Sequence, residues 1–153
     1  MNDFFSSLYE YGGMFRFFNT DLGDHLRGFD VTCSNYESTP WYTYVGCGML
    51  AMTALAYLVQ YHVIDSSRYN SKRSWWMTVS ILFALNFMLA FAIALNAIHS
   101  PEICKQLHIT GGDLAGFGLA NALWAFLLYV LLTSLPWIRR ASTNCKYTTF
   151  WKP

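Results

Sequence analysis

Five side chains that could hold a soft or borderline metal lie at His25, Cys33, His99, Cys104 and His108. Zinc and copper accept imidazole and thiolate, but compact sites hold them at short, regular spacings, and this set follows none. The simpler chemistry is a disulfide between Cys33 and Cys104, provided both face an oxidising space. No metal ligand is therefore assigned. His62 precedes Asp65 by three residues, a spacing that lets the two share a helix face and a hydrogen bond. A proton relay or a haem ligand would use such a histidine, yet a haem clamped between helices needs a second histidine at matching depth, and the apolar runs contain none. His62 is read as a polar residue at a water boundary.

Signatures of catalysis are missing. The chain has no Gly-x-Ser-x-Gly elbow, no His-Glu-x-x-His, no phosphate-cradling glycine loop and no acid or base within its apolar runs beyond His62. The sequence Thr110-Gly111-Gly112-Asp113 resolves as a turn in which Asp113 caps the following helix. A non-enzymatic protein without a cofactor is expected, with a small membrane enzyme or metal carrier using the His and Cys set as an alternative.

The elements that must position these residues are set by where charge is absent. Of 153 residues 54% are hydrophobic and only 12% charged, about half the charged share of an average soluble domain. No Asp, Glu, Lys or Arg occurs in Trp41 to Ile64, Trp75 to Ile98 or Leu114 to Ile138. Runs of about 24 residues extend about 36 Å as helices, enough to cross a hydrocarbon layer of about 30 Å. A soluble core would demand polar faces on the outer helices, and a membrane barrel would demand alternation; neither pattern is present. The fold class expected is an all-α integral membrane protein, with three transmembrane helices (41–64, 75–98 and 114–138) preceded by an amphipathic N-terminal helix. Residues 1–40 form an outer arm and loop, 41–138 the transmembrane domain and 139–153 a basic inner tail. With ten basic and nine acidic residues the net charge is +1, which leaves no field for a nucleic-acid backbone. Residues 1 to 20 carry Asp3 and Glu10 and lack a basic start, so no cleaved signal peptide is expected.

Charge also orients the spans. Residues 1–40 and the second inter-span loop are net acidic, while the first loop (Arg68, Lys72 and Arg73 against Asp65) and the tail (Arg139, Arg140, Lys146 and Lys152) are net basic. Alternation across three spans puts the basic pair on one side, and the positive-inside bias then places the N-terminus outside and the C-terminus inside. Trp41, Tyr42 and Tyr44 at one boundary, and Tyr61, Trp75, Trp76 and Trp137 at the other, are read as depth anchors.

In the arm, Phe4, Leu8, Tyr11, Phe15, Phe18 and Leu22 recur at intervals of four and three, making one helical face opposite Asp3, Ser6, Glu10, Asn19, Asp24 and Arg27. Acids dominate the polar side, whereas lipid-bound helices favour basic residues there, so the arm is expected to lie on protein, either its own bundle or a partner. Gly12 and Gly13 mark a break.

Small residues fix how the spans pack. Gly112, Gly116 and Ala120 recur every four residues, with Ala90 and Ala94 in the second span and Cys47 and Ala51 in the first. Such stripes let backbones approach where the hydrophobic effect cannot drive association. Asn86, Asn96 and Asn121 are the most polar residues in the spans, and each needs a partner. Asn86 shares the Ala90 and Ala94 side, while Asn96 projects elsewhere. The expected function is a multi-pass subunit that packs in the bilayer beside other membrane chains and helps assemble a larger complex, as a homo- or hetero-oligomer. A homo-oligomeric channel lined by the Asn residues is the alternative.

Overall fold

The computed structural model describes residues 2–11, 17–64, 71–101, 103–104 and 106–134. All regular structure among them is helical, without strands. The short helix α1 (Asn2–Ser6) runs into a π-helical turn (Ser7–Tyr11), and α2 (Thr20–Arg27) follows. Three long helices come next: α3 (Trp41–Leu58), extended by a π-helical turn (Val59–Val63), α4 (Lys72–Ile98) and α5 (Gly111–Ser134). With 23, 27 and 24 residues, each rises more than about 30 Å and is apolar enough to cross a membrane.

Local chemistry sets the helix ends. Asn19 caps α2 by accepting from the Thr20 N–H at 2.7 Å. Gly28 closes it with φ 102°, where a Cβ would strike the Ser38 carbonyl. Ser71 accepts from the Ser74 N–H at 3.2 Å, so α4 begins three residues before the charge-free run, at Lys72. The α5 start is a capping box, with the Thr110 N–H donating to Asp113 Oδ2 at 2.9 Å and the Asp113 N–H donating to Thr110 Oγ1 at 3.4 Å. Residues 135–138 of the expected third span, and the basic tail 139–153, lie outside the described residues.

Side-chain pairs give the topology. Tyr42, near the start of α3, meets Phe117, near the start of α5, at 5.8 Å between ring centroids, and the far ends meet through Gln60 and Tyr129. Trp75 opens α4 beside that same Tyr129. Hence α3 and α5 run in the same direction and α4 runs opposite, against α5 along its most extensive seam. The α4 side of the seam buries Trp75, Val79, Leu82, Asn86, Ala90, Ala94 and Ala97 at intervals of three and four. The arm and the loop preceding α5 share the end formed by the starts of α3 and α5.

The arm folds onto this chain's own helices in two pieces, the first of them on a different face from the one its spacing predicts. Phe5 and Tyr9 are buried, whereas Phe4 is 65% exposed and Leu8 only half-buried. Phe18 and Leu22 are buried as expected, and Leu26 is buried with them. A π turn bonds residues five apart, so a face counted at 3.6 residues per turn drifts across it. Gly12, Gly13 and Phe15, and the side chain of Tyr11, lie outside the described residues.

Candidate functional site

The most organised polar region is the seat beneath the arm. Phe5 lies over Gly46 of α3, and the Phe17 backbone lies over Gly116 of α5, each where a Cβ would leave no room. Tyr9 stacks on Tyr42 at 5.5 Å and meets Phe117 edge-on at 5.3 Å. Its hydroxyl donates to Asn121 Oδ1 at 2.6 Å, Asn121 Nδ2 donates to the Asn86 carbonyl at 2.9 Å, and Asn86 Nδ2 donates to the Leu82 carbonyl at 3.0 Å. This chain joins the arm to α5 and α5 to α4. Burial pushes the Tyr9 phenol above its ordinary range, keeping it an O–H donor.

One residue on, Glu10 accepts both arms of the Arg27 guanidinium, with Nε at 3.0 Å, and also the Tyr42 hydroxyl at 2.9 Å. The carboxylate therefore ties α2 and α3 to the arm in the bidentate geometry that only arginine offers. Nothing in a hydropathy pattern marks this triad, since Glu10 and Arg27 read as polar-face residues and Tyr42 reads as a boundary ring. Tyr42 is in fact fully buried, as are Tyr61 and, nearly so, Trp75. Only Tyr44 and Trp76, at 57% and 50% exposure, present open rings of the kind a depth anchor needs; Trp41 is partly buried, and Trp137 lies outside the described residues.

A second set of contacts clasps the loops above the seat. Asp113 Oδ1 accepts the Asn19 N–H at 2.9 Å, and Asp21 Oδ2 accepts the His108 N–H at 2.9 Å. Cys33 and Cys104 are joined by a disulfide with Cα atoms 5.5 Å apart, stapling the loop after α2 to the loop before α5. Beside it, Asp30 accepts from Thr32 Oγ1 at 2.6 Å and from the Ser34 N–H at 3.2 Å. The Thr32 hydroxyl bond, with the backbone N–H bonds, holds the Asp30 carboxyl below its ordinary range.

The remaining sequence-derived candidates separate clearly. Ala90, Ala94, Gly116 and Ala120 are buried, and Asn86 and Asn121 are completely so. Cys47, Ala51 and Gly112 are exposed, and a Cβ on Gly112 would meet nothing closer than Thr110 Oγ1 at 3.5 Å. Within this chain, then, those three do not pack helices: α3 uses Gly46 against the arm and Gly48 against Leu89 instead. Asn96 is exposed on α4. Asn86 and Asn121 are both enclosed within the described chain.

The possible ligands do not converge. Two of the thiols form the disulfide, His25 Nε2 lies 3.0 Å from the Ala97 carbonyl in the core, and His99 Nδ1 lies 2.7 Å from the Leu95 carbonyl. Among the described residues no three His, Cys, Asp or Glu side chains are grouped to hold a metal. His62 is exposed, and Asp65 lies outside the described residues. At the far end Tyr129 donates to Gln60 Oε1 inside the bundle. In comparisons with known proteins, no family model, no curated protein and no solved structure matches the chain.

Proposed function

We propose that the chain is a non-enzymatic integral membrane subunit whose outward helix faces pack beside other membrane chains, with the arm end outside and the basic tail inside. The observation that carries this is the outward face of α3, where Cys47 and Ala51 leave a shallow strip uncovered by any part of the described chain. Small side chains on a lipid-facing helix allow a second helix to approach closely, and dispersion contact along such a strip supports association in a bilayer. Exposed Asn96 adds a polar group on α4 that a neighbouring chain or the head-group zone would satisfy. Because the arm covers its own bundle, its buried face is not free for a partner, whereas the α3 strip is.

Cys47 supplies the test directly. A benzophenone maleimide placed on Cys47, in a Cys145→Ser background, is irradiated in native membranes and resolved by denaturing electrophoresis. A discrete adduct larger than the single chain is expected, and a second such adduct at the same position after gentle solubilisation would tie it to a stable assembly. Recovery of the single chain alone, modified only by lipid, overturns the proposal.

A further inference from the structure

A groove runs between α4 and α5 toward the end of the bundle opposite the arm. It is an opening of about 360 Å³ between α4 and α5, lined by Trp76, Val79, Ser80 and Phe83 of α4 and by Leu123 and Phe126 of α5. Toward the start of α4 it runs, through the shared Trp76 and Ser80, into a second opening of about 320 Å³ that reaches Arg73. The walls are apolar and the mouth is cationic. Lys72 and Arg73 are both exposed in the first turn of α4, a turn without an acidic residue, and among the described residues neither meets a carboxylate.

That placement costs the helix stability. Two cations stand at the end where the helix dipole is already positive, and an anion brought there would offset both. The distance fits one class of molecule. From Arg73 to Phe83 the helix rises about 15 Å, half of a hydrocarbon layer of about 30 Å and so the depth of one leaflet. Trp76 sits between the charged mouth and the apolar floor, where an amphipathic ring is most stable.

We infer that this groove binds one anionic phospholipid, with its phosphate at Lys72 and Arg73 and an acyl chain lying along Trp76, Ser80 and Phe83 between α4 and α5. The inference rests on membrane insertion and is independent of the subunit role. A second copy of this chain or a partner helix in the same groove is the competing occupant.

Native mass spectrometry of the full chain, released from nanodiscs of equal phosphatidylglycerol and phosphatidylcholine with identical acyl chains, tests it. Wild type is expected to retain one phosphatidylglycerol in preference to phosphatidylcholine. Arg73→Gln is expected to lower that preference about 5-fold, as the loss of one cation near a charged lipid surface implies, while Arg73→Lys keeps most of it. Ser80→Phe fills the exposed floor and leaves both cations in place, and it is expected to abolish retention. Equal retention of the two lipids by wild type overturns the site. So does an undiminished preference in Ser80→Phe, which would reduce the cations to general attraction. A Ser80→Cys variant that crosslinks into dimers through this position assigns the groove to a second copy and also overturns it. Failure of wild type to enter nanodiscs at all would instead refute membrane insertion.

Discussion

Tyr9 shows how much a single side chain carries here. It contributes aromatic area on two rings, a hydrogen bond to Asn121, whose amide is already committed to the Asn86 carbonyl, and a longer contact from the same hydroxyl to Met49 Sδ at 3.9 Å. Interhelical bonds between buried polar groups contribute about 0.6 kcal/mol on average and up to about 1.7 kcal/mol in membrane proteins, and removing one partner exposes the other to an unpaired buried state. Tyr9→Phe keeps the stacking and removes only the hydroxyl, so it is expected to lower unfolding stability in detergent by about 1 kcal/mol. In an Asn121→Leu background the same substitution is expected to cost much less, because the strong acceptor has gone and only the weak Met49 sulfur remains. A double-mutant cycle by thermal unfolding measures the difference, and strictly additive losses would mean the two groups do not interact. Glu10 is placed differently: its side chain and that of Arg27 retain 15% and 24% exposure, so water screens the pair and its geometry matters more than its energy.

At the scale of elements, the arm is held because two glycines give up their side-chain space to it. Gly116→Ala would drive a methyl into the Phe17 backbone, which has no rotamer to change, at an expected cost of about 1–3 kcal/mol. Gly112→Ala, four residues earlier on the same helix, meets only Thr110 Oγ1 at an ordinary contact distance of 3.5 Å and is expected to change stability by less than about 0.5 kcal/mol. Limited proteolysis of the arm separates them: cleavage before α2 should accelerate in the first variant and not in the second. The contrast also defines what the sequence makes legible. The three long helices follow from exclusion of charge, which acts on every residue of a run and so survives ignorance of the neighbours. The regular spacing of Gly112, Gly116 and Ala120 marks a small-residue stripe but not what fills it, and the structure gives one of its members to the arm, one to the core and one to solvent. The buried face of the arm was illegible for a backbone reason, since the π turn Ser7–Tyr11 breaks the period on which the count relies. Tyr42 misleads because an aromatic ring at a span boundary suits lipid and protein equally well, and only the carboxylate of Glu10, 32 residues away, decides between them.

For the whole molecule, the two ends are chemically unlike. The end bearing the arm gathers Glu10, Asp21, Asp24, Asp30 and Asp113 together with the disulfide, whereas α4 begins at the opposite end with Lys72 and Arg73. Charge and redox chemistry are separate observations that both support the orientation we propose, because basic residues accumulate on the cytoplasmic side and disulfides persist on the other. The staple spans a sequence separation of 71 residues; closing so long a loop restricts the unfolded chain by up to about 4 kcal/mol in the chain-entropy picture. Helices that persist in a bilayer reduce that figure, but the link still fixes the arm's loop to the entrance of α5. Glu37 and Lys72 are both exposed, one at each end, and report the orientation without disturbing the seat. In a Cys47→Ser, Cys145→Ser background with the Cys33–Cys104 bridge intact, Glu37→Cys is expected to react with a membrane-impermeant maleimide added to intact cells. Lys72→Cys is expected to react only after the membrane is opened. Labelling of both from the same side would leave α3 unable to cross, and the reverse pattern would place the disulfide in a reducing space, where a dithiol pair would be the stable form.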